Sequence, residues 1–160
     1  MPFNMETTGM DELEKKLGQL GEKGQEIASV GLYEGAGVMA DAVSQAVQGI
    51  ATKPYRYVFN GWTRYPSPEE KKLLENARKG VAKFKKSQMR VDTSVGLQNS
   101  GYGELNGKTV PIPLIANAIE SGTSFRKKQP FFRKATSRSG EAEAAIEKKL
   151  REEIDKLSVD

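Results

Sequence analysis

The sequence predicts an α+β fold in a single domain spanning residues 1–160: N-terminal helices, a small antiparallel sheet and a long C-terminal amphipathic helix. Three observations carry this. Apolar residues recur at i, i+3 and i+4 near both ends of the chain, the spacing of one helix face. Between them, Met89, Val91, Thr93 and Val95 alternate with Arg90, Asp92 and Ser94, the period of a half-buried strand. Finally, 160 residues with 37% hydrophobic and 29% charged side chains suit one modest core rather than a disordered chain.

The first element is a helix capped by Asp11, with Leu13, Leu17 and Leu20 on one face. Gly21 and Gly24 are expected to loosen or end it. A second run from Gln25 to about Val47 carries Ile27, Val30, Val38, Met39, Ala42, Val43 and Ala46, and reads as a core helix kinked around Gly31 and Gly35-Ala36-Gly37. Small residues there let another backbone approach closely. Residues 48–66 then bring Tyr55, Tyr57, Phe59, Trp62 and Tyr65 together with Arg56 and Arg64. The alternation of Tyr55, Tyr57 and Phe59 favours a short strand or an ordered loop on the core. A protein-contact surface ranks second, because aromatics and Arg dominate interfaces. A single-strand nucleic-acid platform ranks third.

Ser67-Pro68-Glu69-Glu70 is a helix start: Ser67 caps, Pro68 takes the first helical position and Glu70 completes a capping box. The helix should run to about Arg78, with Leu73, Leu74 and Ala77 inward and its charges on a solvated face, and Gly80 ending it. Lys83–Lys86 is a short basic stretch. After the strand around Val91, Gln98–Gly103 reads as a loop, Asn106-Gly107 as a tight turn, and Thr109–Pro113 as extended backbone, since residues before Pro avoid the helical region.

Ile115, Ala118 and Ile119 open another helix, which Gly122 stops. The basic run Arg126-Lys127-Lys128 follows, and Gln129-Pro130-Phe131 starts the C-terminal helix. Pro130 is suited to the first turn, and Phe131 to anchoring the loop on the core. Ile146, Leu150, Ile154 and Leu157 continue the apolar face, while Glu147–Arg151 and Glu152–Lys156 support the charged one. A bend or break is expected at Ser137–Gly140.

The chemistry available is narrow. The chain has no Cys and no His. This removes disulfides, thiolate metal sites, a catalytic cysteine, the Ser-His-Asp triad and most zinc sites. GYGELNG at 101–107 lacks the Gly-Lys-Ser/Thr ending of a phosphate-binding loop. No nucleophile has a base beside it in the pattern, so no catalytic, cofactor-binding or metal site is assigned, no cofactor is expected, and the reading is not an enzyme. The net charge of +4 permits an acidic partner without requiring one. No apolar run reaches the ~20 residues of a membrane span and none resembles a signal peptide, so no membrane role is expected.

The strings Glu120-Ser121-Gly122-Thr123-Ser124 and Lys127-Lys128-Gln129-Pro130-Phe131-Phe132-Arg133-Lys134-Ala135 resemble the signature of the tailed-phage neck and tail-completion proteins named after gene product ten of a lambdoid coliphage. Glu120, Gly122, Thr123, Gln129, Pro130, Phe131 and Ala135 match its acidic residue, Gly-Thr turn and Gln-Pro-Phe helix start. Gly80–Phe84 through Val91–Gly96 is similar to the family's Gram-positive branch. Many members carry Pro-x-x-Thr-Gly after the first long helix. Here Thr52-Lys53-Pro54-Tyr55 stands at that place with no Thr-Gly at the right distance.

The resemblance implies a structural virion protein at the head–tail interface of a long-tailed phage or prophage, made in the host cytoplasm, that completes the tail for joining to the head. It implies a hexameric ring of copies with other neck and tail proteins as partners, and nucleic acid at most passing through a channel. Its matched interface positions are Glu120, Gly122, Thr123, Gln129, Pro130 and Phe131. Arg126, Lys127 and Lys128 are expected, on physical grounds, to project outward from the same loop; for the individual charges a solvated surface ranks first, and contact with an acidic surface of a neighbouring subunit or neck protein is the interface hypothesis. A tail terminator and a nucleic-acid-binding accessory protein are the alternatives.

Overall fold

The structure is a computed structural model. It describes residues 10–53, 64–77, 80–81, 85–87, 90–92, 95–97 and 101–157. The elements in chain order are α1 (Met10–Gln48), α2 (Pro68–Asn76), β1 (Gly80–Val81), β2 (Lys85–Ser87), β3 (Arg90–Asp92), β4 (Val95–Gly96), β5 (Tyr102–Leu105), β6 (Lys108–Pro111), α3 (Ile112–Ser121), α4 (Phe131–Thr136) and α5 (Ser139–Lys156). The α+β class holds, and among the described residues the strands form three antiparallel pairs: β1 with β4, β2 with β3, and β5 with β6.

The N-terminal region differs from expectation. One continuous helix of 39 residues replaces two interrupted runs, and Asp11 lies inside its first turn rather than capping it. Glycine costs about 1 kcal/mol in a helix interior but, unlike proline, keeps its N–H, so the hydrogen-bond ladder continues through it. The expected close approach is present. A Cβ built on Gly31 would lie 2.8 Å from Leu150 Cδ2, and one on Gly35 would lie 2.5 Å from Ile146 Cγ1. The apolar stripe of α5 therefore packs against the small residues of α1.

The core gathers Ala42, Val43 and Val47 from the end of α1 and Ile50 just after it, Leu74 from α2 and Ala77 just after it, Ile112, Ile115, Ala116 and Ile119 from α3, and Phe131 and Ala135 from α4. Leu97 joins it. The capping box at Ser67 forms as read: Ser67 Oγ accepts from Glu70 N at 3.1 Å, and Glu70 Oε2 accepts from Ser67 N at 3.0 Å. α2 stops at Asn76 because Ala77 turns to extended backbone, and Gly80 belongs to β1 rather than ending the helix.

The strand read across Met89–Val95 is instead two short strands, β3 and β4, in different pairs, with 93–94 outside the described residues. Asn106 and Gly107 both take positive φ, 52° and 73°, as a two-residue hairpin requires. Tyr102 and Gly103, read as loop, open β5, which pairs Leu105 with Lys108. Pro111 is extended as expected, but Ile112 begins α3. Pro113 sits in the first turn of that helix, where its missing N–H has no carbonyl to meet. The C-terminal break occurs at Ser137–Arg138, between α4 and α5.

Candidate functional site

The loop between α3 and α4 is built from local rules and closed by distant partners. Gly122 ends α3 at φ 73°, a left-handed backbone that favours glycine, and a Cβ there would lie 3.0 Å from Lys128 Cβ. Thr123 then closes a tight turn. Its N–H donates to Arg126 O at 3.1 Å, and its Oγ1 accepts from Arg126 N at 3.0 Å. Ser124 and Phe125 form the tip, and the Phe125 ring is 66% exposed.

Each remaining matched position fastens this loop to another element. Glu120 reaches forward to the start of α4, where Oε2 accepts from Phe132 N at 2.8 Å and Oε1 from Arg133 N at 3.3 Å. A carboxylate there satisfies orphan N–H groups and faces the positive end of the helix dipole. Gln129 clasps the backbone just after α1: its Oε1 accepts from Ala51 N and its Nε2 donates to Ala51 O, both at 2.8 Å. Gln129 N also donates to Ile119 O at 2.8 Å. Pro130 precedes α4, and Phe131 is buried in the core.

The basic run does not behave as one unit. Arg126 was expected to project outward with the lysines; instead it turns inward. Its guanidinium pairs with the Glu70 carboxylate, and the two side chains are 13% and 2% exposed. Arg64 Nη2 approaches the same Glu70 oxygen at 3.5 Å. The backbones join as well: Arg64 N donates to Phe125 O at 2.7 Å and Lys127 N to Arg64 O at 3.0 Å. Glu70, read as part of a solvated face, is thus a buried charge neutralised from two chain segments. Burial of a carboxylate is tolerable only with such partners, because desolvation alone would be prohibitive.

Lys127 and Lys128 remain exposed. Lys127 Nζ donates to the Tyr65 hydroxyl at 2.9 Å, and Lys53 Nζ lies 4.6 Å from the centroid of the same ring. The Lys127 hydrogen bond, its charge and that of Lys53 hold the Tyr65 phenol below the ordinary tyrosine range. Sequence reasoning missed Glu70, Arg64, Ala51 and Tyr65 as members of this junction. Their partners lie 56 to 78 positions away in sequence for Glu70 and Ala51, beyond the reach of periodicity. Of the aromatic stretch, Tyr55, Tyr57, Phe59 and Trp62 lie outside the described residues.

Among the described residues, no group of three or more acidic, His or Cys side chains is placed to hold a metal, and no helix is long and apolar enough to cross a membrane. No family model, curated protein or solved structure matches the chain.

Proposed function

We propose that this chain is a structural virion protein at the head–tail interface of a long-tailed phage, completing the tail for joining to the head. One observation carries the reading. The residues that match the tail-completion signature are joined in one junction, where Glu120, Thr123 and Gln129 bond to backbone, Gly122 turns the chain and Phe131 is buried in the core, while Phe125, Lys127 and Lys128 stay on the surface. Such a device presents contacts in a set geometry, and charge across an interface sets register and encounter rate. Acting as part of a ring, it would meet an acidic surface through the two lysines; Arg126 is committed to Glu70.

The test is electron microscopy of lysates from a phage that encodes this chain, after deletion of its gene. Filled heads beside free tails of normal length are expected. Overlong tails would assign a terminator role instead, and intact infectious virions would overturn the reading.

A further inference from the structure

Charge is segregated along this chain. Five cations, Lys53, Arg64, Arg126, Lys127 and Lys128, stand at the junction against two carboxylates, Glu70, which pairs with the two arginines, and Glu120, which caps α4, an excess of three. None of Lys53, Lys127 and Lys128 forms an ion pair among the described residues. The opposite holds on α1. From Gln25 to Gln48 it contains Glu26, Glu34 and Asp41 and not one Lys or Arg. All three acids lie on its exposed face together with Val30, Tyr33 and Gly37, at the spacing of a single stripe. Asp41 feels Arg138 of α5 and Glu26 lines a groove with Lys23 and Lys156, but neither Glu26 nor Glu34 forms an ion pair among the described residues.

We propose that the basic junction of one copy docks on this acidic face of α1 in a second copy, joining copies head to tail. The two patches cannot neutralise one another within a molecule. The junction lies at the C-terminal end of α1, where Gln129 clasps Ala51 and Lys71 Nζ donates to Gln48 O at 2.6 Å. At 1.5 Å per residue, Glu34 is about 20 Å and Glu26 about 30 Å back along the helix. Both distances exceed the ~8 Å screening length of physiological salt, so the junction cations do not neutralise these acids within one molecule.

Apolar surface matches as well. Phe125 stands 66% exposed beside the lysines, while Tyr33 is 63% and Val30 37% exposed on the receiving face. Gly37, with nothing within 4 Å of a built Cβ, leaves room there for a ring. An aromatic anchor rimmed by opposite charges is the usual composition of a protein contact. Two different patches make the contact heterologous, which closes into a ring when the rotation per copy permits. The inference rests on the proposed virion role only for where such a ring would act.

The test uses the full chain in analytical ultracentrifugation with two charge-reversed variants: Lys127→Glu with Lys128→Glu, and Glu26→Lys with Glu34→Lys. The wild type is expected to assemble, with its dissociation constant weakening about tenfold or more between about 0.15 M and about 1 M salt. Each variant alone should sediment as a monomer. An equimolar mixture should assemble again, since the reversed loop of one variant suits the reversed α1 of the other. That recovery also shows that both are folded. A monomeric wild type, variants that assemble alone, or a mixture that stays monomeric would overturn the proposal. Free tails in the gene-deletion lysate together with a monomeric wild type would leave the virion role standing and remove only this partner.

Discussion

The α1–α5 seam and the α3–α4 junction hold the same molecule together by different means. At the seam, Gly31 and Gly35 give up side chains so that Ile146 and Leu150 can reach the helix backbone, and the stability comes from apolar contact. At the junction, side chains act one by one: a buried ion pair, an amide clasp, a carboxylate cap and a left-handed glycine. Packing tolerates exchange of volume among neighbours, whereas a directed polar contact fails when a single atom changes. The junction therefore fixes geometry at the surface, while the seam supplies bulk stability.

Substitutions can break that contrast in graded steps. Glu70→Ala should have the largest effect. It strips the counter-charge from the nearly buried Arg126 and undoes the reciprocal cap at Ser67, and should cost about 3–5 kcal/mol in urea unfolding. Gly35→Ala follows at about 1–3 kcal/mol, because the new methyl meets Ile146. Gly21→Ala in the same helix meets nothing and should instead raise stability by about 0.5–1 kcal/mol. Gln129→Glu keeps the size of the clasp but sets an oxygen against Ala51 O. It should lower stability by about 1–2 kcal/mol, read as an unfolding midpoint shift.

Lys127→Ala is the mildest. In dilute protein, where copies do not associate, the unfolding midpoint at neutral pH should not move, but the Tyr65 phenol should titrate at higher pH than in the wild type. A depressed phenol value adds stability only above the ordinary tyrosine range, near 10, and loses it as pH falls through the folded value. The variant should therefore lose alkaline stability alone. Phenolate absorbance during a pH titration, with Tyr65→Phe subtracting the other tyrosines, reads this directly.

What the sequence disclosed follows the range of each interaction. The Ser67 cap, the Asn106-Gly107 hairpin, the Gly122 stop and the anchoring of Phe131 depend on neighbours a few residues apart, and all were legible. The close approach expected at the small residues of α1 is present at Gly31 and Gly35 but not at Gly37, and none of these glycines breaks the helix, since propensity shows the cost of glycine but not that the ladder outlasts it. Strand boundaries around Val91 were not legible, because pairs only two or three residues long leave little period to detect. Arg126, Lys127 and Lys128 look alike in sequence. What separates them is Glu70, 56 positions away, and no local pattern reports that.

That separation is the centre of the account, and one experiment addresses it. Urea unfolding should be compared for Arg126→Glu and for the double variant Lys127→Glu, Lys128→Glu. The account predicts that Arg126→Glu, which sets two carboxylates against each other in a nearly buried site, loses several kcal/mol or fails to fold. At a protein concentration too low for copies to associate, the exposed lysine pair, with twice the change in charge, should unfold at the wild-type midpoint. Equal loss in both, or an Arg126→Glu protein as stable as the wild type, would contradict it.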